Sequence, residues 1–134
     1  MKHLPTIARY LLGLIFFVFG LNGFLQFLPQ PELGADAGAF MGALAATGYF
    51  FPFLKIVEVV SGILLLSNRF VTVALAMLAP VTVNIVAFHA FLDPAGLPVG
   101  ILAFILNIYL LFAYKKYYDP MLTSKPELNS GDSE

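Results

Sequence analysis

The sequence has no cysteine and no tryptophan in its 134 residues, and only two histidines. Charge is scarce too: seven Lys or Arg and eight Asp or Glu make up 11% of the chain. The lack of cysteine excludes disulfides, thiolate zinc sites, iron–sulfur clusters and any thiol relay, and leaves the redox compartment open. The lack of tryptophan means that an aromatic belt at a membrane interface has to come from tyrosine. Tyr10, Tyr49, Tyr109, Tyr114, Tyr117 and Tyr118 are available, and most flank apolar runs. The net charge of −1 is uninformative about partners, because what matters is where the charges sit. No nucleic-acid partner is expected.

Apolar residues are abundant instead. They form 60% of the chain, with a mean hydropathy of +0.88. Soluble domains average about 45–50% apolar and about 25% charged residues, so this chain lies on the membrane side. A membrane-spanning helix needs about 20 apolar residues. Four stretches qualify, at about 7–28, 50–66, 70–91 and 97–114. The first follows Lys2 and Arg9 and has the look of a signal peptide. Its apolar run reaches about Leu28, longer than the roughly 7–15 residues of a signal core, and no Ala-x-Ala site follows. It is expected to be a retained first span.

Pro52 fits the first turn of span two, where its missing amide costs nothing. Pro80 lies inside span three and should kink it. Between spans one and two, residues 36–47 suggest a short helix capped by Asp36, with Phe40, Met41 and Leu44 on one face. It is too short to cross a bilayer. A connecting helix lying on the bundle is favoured over an interfacial or re-entrant lid. The expected fold is therefore all-α: an integral membrane four-helix bundle over residues 1–122, with a short extra interfacial helix. A disordered cytoplasmic tail is expected over 123–134.

Positive charge is asymmetric. Lys2 and Arg9 precede span one, Arg69 separates spans two and three, and Lys115, Lys116 and Lys125 follow span four. The loops at 29–48 and around Asp93 carry no Lys or Arg. The positive-inside rule then places both termini in the cytoplasm.

Ionisable groups inside spans are costly, about 2.5–3.5 kcal/mol each on insertion scales, and mark functional candidates. Lys55 and Glu58 stand three apart in span two, on one helix face. In this topology they lie about 8 and 12 Å below the outer boundary of a roughly 30 Å core. Gly62 continues their face and allows close helix approach. Span one carries Asn22 and Gln26, with Gly13 and Gly20 as a separate small-residue stripe. Span three carries Asn84 and His89, and span four carries Asn107 near mid-depth. Asn22, Gln26, Lys55, Glu58, Asn84, His89 and Asn107 together suggest a ligand-binding polar pocket opening outward, lined by all four helices.

Blander roles stand beside this one. Lys55–Glu58 can be a structural ion pair, with Lys55 snorkelling to the interface. The asparagines can be interhelical hydrogen-bonding groups, worth about 0.6 kcal/mol each on average, and His89 an interfacial residue. His3 and His89 fall on opposite sides of the bilayer and cannot jointly hold a haem. The remaining donors make a poor metal site, and no metal is expected. There is no phosphate loop and no nucleophile elbow. Any catalysis would use Glu58, Lys55 or His89 and borrow redox chemistry from a bound cofactor such as a quinone.

Three stretches resemble the DoxX-like family of small four-span bacterial membrane proteins. They are Arg9-Tyr-Leu-Leu-Gly-Leu-Ile-Phe-Phe-Val-Phe-Gly-Leu-Asn22, Leu54-Lys-Ile-Val-Glu-Val-Val-Ser-Gly-Ile-Leu-Leu-Leu66 and Ala79-Pro-Val-Thr-Val-Asn-Ile-Val-Ala-Phe-His89. The resemblance runs to about Leu122. It implies a multi-pass protein of the bacterial cytoplasmic (inner) membrane. The family takes its name from a subunit of an archaeal thiosulfate:quinone oxidoreductase, and other relatives are tied to oxidative-stress complexes or to chaperoning of membrane proteins. Fold-level likeness carries architecture further than chemistry. Three functions follow as expectations: a subunit or partner of a quinone-linked membrane oxidoreductase, a non-catalytic scaffold or assembly factor, and, behind these, a small-molecule or proton-coupled carrier. The partners are the lipid bilayer and either another membrane protein or a second copy of the chain.

Overall fold

The computed structural model describes residues 2–29 and 32–129. Five α-helices run in the order α1 (Leu4–Leu25), α2 (Ala35–Ala46), α3 (Phe50–Ser67), α4 (Val71–Phe91) and α5 (Leu97–Ala113). Short 3-10 turns at Pro94–Gly96, Lys115–Tyr117 and Pro120–Leu122 complete the described structure. α1, α3, α4 and α5, the last with its preceding turn, are each long and apolar enough to cross a membrane. The chain is an all-α, four-span bundle with a shorter helix between the first two spans.

Local chemistry sets the helix ends. Pro5 starts α1 a turn earlier than the apolar run suggests, because a proline amide is not missed there. α1 also stops earlier than expected. Gln26 takes a left-handed conformation with φ 51° and closes the helix onto the Asn22 carbonyl. The Asn22 side chain then accepts a hydrogen bond from the Leu28 amide at 2.8 Å, which turns the chain away. Asp36 does not cap α2; Gly34 does, and Asp36 sits in the first turn, where a carboxylate still suits the helix dipole. α3 and α4 are joined by the three residues Asn68, Arg69 and Phe70. Asn68 and Phe70 both adopt positive φ, 58° and 50°. Asn tolerates this region readily, whereas Phe there is uncommon. α4 continues through Pro80 without interruption.

The helices form a closed ring. α1 packs most extensively on α3 and α4 on α5, while α3–α4 and α1–α5 contacts close the circuit. The α1–α3 pair is antiparallel: Gly13 lies opposite Leu65, Gly20 opposite Glu58 and Val59, and Gly23 opposite Lys55. The apolar core is built from Leu12 and Phe16 of α1, Leu65 of α3, Ala74, Leu75 and Leu78 of α4, and Ala103 and Leu110 of α5. Outward-facing side chains are largely apolar as well, including Leu14, Phe19, Phe53, Ile56, Ile63, Val83, Ile105 and Phe112. A soluble protein rarely exposes so much contiguous apolar surface. A bilayer is its matching solvent.

One end of the ring carries Arg9, Arg69, Lys115 and Lys116 and is called the basic end below. α2 lies at the other end, where Ala37 is fully buried and the Phe40 ring is 5.8 Å from that of Phe88 in α4. From Thr123 to Asn129 the chain has no helix or strand and is exposed. The remainder of the expected disordered tail, 130–134, lies outside the described residues.

Candidate functional site around Lys55 and Glu58

Lys55 Nζ lies 3.2 Å from Glu58 Oε1, an i,i+3 ion pair midway along α3. The Glu58 side chain is 5% exposed and that of Lys55 23%. Two glycines of α1 make room for the pair. A β-carbon on Gly23 would lie 2.3 Å from Lys55 Cγ, so the lysine stem runs across the space that this glycine leaves. A β-carbon on Gly20 would lie 3.1 Å from Glu58 Cβ. Lys55 is the only hydrogen-bond partner of the Glu58 carboxylate among the described residues. One turn on, the Ser61 hydroxyl is fully buried and has no partner among the described residues.

The other residues expected around this pair do not converge on it. Asn107 is fully buried, but it ties α5 to α4. Its Nδ2 donates to the Leu75 carbonyl at 3.2 Å, and its Oδ1 accepts from the Thr82 hydroxyl at 3.0 Å. Asn84 is exposed on the outside of α4 and donates to the Pro80 carbonyl of its own helix at 2.8 Å. Five residues from His89 and two from Thr82, it falls on the lipid side because Thr82 takes the inward position. Asn22 serves the turn after α1, and Gln26 lies outside the helix, exposed. His89 clasps the α4–α5 connection: its Nδ1 is 3.2 Å from Asp93 Oδ2, and its ring fills the space over Gly96. These described side chains make separate polar contacts, each local to one turn or one helix pair.

Three interior polar residues escaped the sequence reading. Arg9, read as a flanking charge, is 5% exposed and donates from Nη1 to the Leu65 carbonyl at the end of α3. A cation there complements the negative end of the helix dipole. Its guanidinium also lies 4.4 Å from the centroid of the Tyr10 ring. Pro5 as a helix start was the available signal, since it puts Arg9 inside the second turn. Thr82 had no signal of its own, because a helical threonine can satisfy its hydroxyl on its own backbone. Ser61 was signalled by its spacing of three from Glu58.

A groove of about 380 Å³ lies at the basic end and not beside Glu58. It is shallow and lined by Thr72, Val73, Ala76, Met77, Tyr117, Tyr118 and Met121.

Fold and surface together define a multi-pass membrane protein with four spans. No protein-family model matches the chain, no curated protein is significantly similar to it, and no solved structure gives a significant match.

Proposed function

We propose that this chain is a DoxX-like protein of the bacterial cytoplasmic membrane that acts as a non-catalytic partner of another membrane protein. Both termini would lie in the cytoplasm, as the cation asymmetry favours. One observation carries this reading: the buried polar groups are mostly spent on holding the bundle together. Asn107 joins α5 to Thr82 and Leu75 of α4, Arg9 joins α1 to Leu65 of α3, and Glu58 is paired within α3 by Lys55. A fixed bundle with a broad apolar exterior suits a helix-packing role.

The test is purification of the full chain from its native membrane in mild detergent. The expected result is a stoichiometric membrane-protein partner, retained when Lys55→Met and Glu58→Gln are combined. A chain that purifies alone, or loses its partner only when that pair is changed, overturns the reading.

A second reading assigns the Lys55–Glu58 pair to a quinone, with the chain as a subunit of a quinone-linked oxidoreductase. Lys55 is partly exposed beside the nearly buried Glu58, which leaves the ammonium accessible from the edge of the bundle. Lys55 donors suit a quinone carbonyl, and Glu58 would carry protons while a partner enzyme supplies electrons. Quinone binding that vanishes in Lys55→Met supports it. Unchanged binding in both Lys55→Met and Glu58→Gln rules it out.

A further inference from the structure

The groove at the basic end is unused by either reading. Its inner wall is one face of the first turns of α4: Thr72, Val73, Ala76 and Met77. Its outer wall is the segment after α5, with Tyr117, Tyr118 and Met121. The Tyr118 hydroxyl donates to the Thr72 carbonyl at 2.7 Å and pins that segment across the start of α4. From Thr72 to Met77 the α4 wall runs about 7.5 Å along the helix axis, into the apolar span.

Two lysines, Lys115 and Lys116, directly precede the groove's outer wall. Lys115 is engaged by Asp119 at 3.1 Å. Lys116 has no carboxylate within ion-pair distance among the described residues. Its ammonium rests 5.0 Å from the centroid of the Tyr117 ring, at the groove's rim. The site thus pairs an apolar slot opening to the bilayer with an unneutralised cation held at its interfacial end. Tyrosines belong at this depth, where an apolar ring and a polar tip are both satisfied.

We propose that this groove binds one anionic phospholipid, with an acyl chain along Ala76 and Met77 and the headgroup phosphate at Lys116. The charge complementarity selects the headgroup, while the apolar walls accept any acyl chain. A juxtamembrane lysine favours an anionic lipid by roughly fivefold.

The test uses the full chain in detergent micelles supplemented with equal phosphatidylglycerol and phosphatidylcholine of matched chains, read by native mass spectrometry. The expected result is one retained lipid, with phosphatidylglycerol favoured about fivefold. Lys116→Gln, an exposed change that leaves the fold intact, should bring the ratio near one. Ala76→Phe fills the groove from an exposed position and should reduce retention of both lipids. Lys125→Gln, in the tail, should change neither. Equal retention of the two lipids by the unaltered chain overturns the proposal. So does a preference that survives Lys116→Gln, or one that Lys125→Gln weakens equally, which would mark a diffuse surface attraction. A lipid-free dimer that Ala76→Phe dissociates would assign the groove to a second copy and also overturn it.

Discussion

Gly62→Ala is a direct test of how α1 and α3 are held. A β-carbon at Gly62 would lie 2.7 Å from the Phe17 backbone nitrogen and 2.9 Å from the Gly13 carbonyl oxygen. Both neighbours are backbone, so no side chain can swing aside. Ordinary contact begins near 3.4 Å, so α1 would have to withdraw by roughly 0.7 Å. A gap of about 0.5–1 Å forfeits a quarter to a half of the dispersion attraction of the atoms involved. Over about 40–60 atom pairs at about 0.1–0.2 kcal/mol each, the loss is about 1–6 kcal/mol. That range contains the usual cost of overpacking, about 1–3 kcal/mol. Alanine returns up to about 1 kcal/mol through its better helix propensity. The net expectation is a destabilisation of about 1–2 kcal/mol.

The assay is reversible unfolding of the full chain in mixed micelles with rising dodecyl sulfate, followed by far-ultraviolet circular dichroism, since no tryptophan is present to report. Gly42→Ala is the matched control. It lies in α2, where a β-carbon meets nothing within 4 Å, and should cost nothing. A Gly62→Ala protein as stable as its parent, or more so, would refute the close-packing argument. Apolar burial does not drive helices together inside a bilayer, so packing of this kind has to do so.

The other predictions use the same assay except where noted. Asn107→Ala removes two hydrogen bonds between α4 and α5 and leaves a small void; at about 0.6 kcal/mol per bond it should cost about 1–2 kcal/mol. Lys55→Met should be worse than Glu58→Gln, because it strands a nearly buried carboxylate, a change worth about 3–5 kcal/mol when a buried pair is broken. The double change should recover most of that loss, and additive losses would count against the pairing. Tyr118 lies beyond α5, and burial, with Tyr114 adding to it, pushes its phenol up to about 12. A raised folded value means that its contribution is full below about pH 10 and disappears as pH rises through about 12. A phenolate absorbance titration should show one tyrosine ionising late, and Tyr118→Phe should remove that late step alone.

Much of the architecture was legible because bilayer physics writes it in long strokes. Four apolar runs of span length and a polar turn at Asn68–Arg69 are enough for the bundle, and the structure has both. The glycine pattern was legible too: Gly13, Gly20 and Gly62 do meet at the α1–α3 contact. Helix ends were less so. Leaving α1 at Leu25 depends on Gln26 adopting a left-handed conformation and on the Asn22 side chain catching the Leu28 amide. Hydropathy carries neither event. The directions of the polar side chains were less legible still. A helix position gives an angle around an axis, but not which polar side chains turn back onto their own backbone. Asn84 does so on Pro80, and His89 closes onto Asp93. Arg9 shows the opposite error, since a cation near a helix start was read as a flanking charge although its stem carries it to the Leu65 carbonyl.

The two tightest helix pairs are held by different means. α1 and α3 meet through glycines, with backbone close to β-carbons and backbone. α4 and α5 meet through the Asn107 clamp on Leu75 and Thr82. Glycine packing fixes distance but weakly opposes sliding, whereas a two-point hydrogen bond fixes register. The α1–α3 pair therefore needs another register device, and Lys55 lying across Gly23 while bound to Glu58 supplies one. Shifting α3 by one turn along α1 would move the lysine stem from Gly23 onto Gln26 in one direction, and in the other would push Glu58 and Val59 from Gly20 onto Phe16 and Phe17, which have side chains. On this argument the buried charges earn their place by orientation, and Lys55→Met with Glu58→Gln should keep the fold while loosening the α1–α3 register. Cross-linking between cysteines introduced at Phe19 and Val59 and at shifted positions would then lose its selectivity for one pairing.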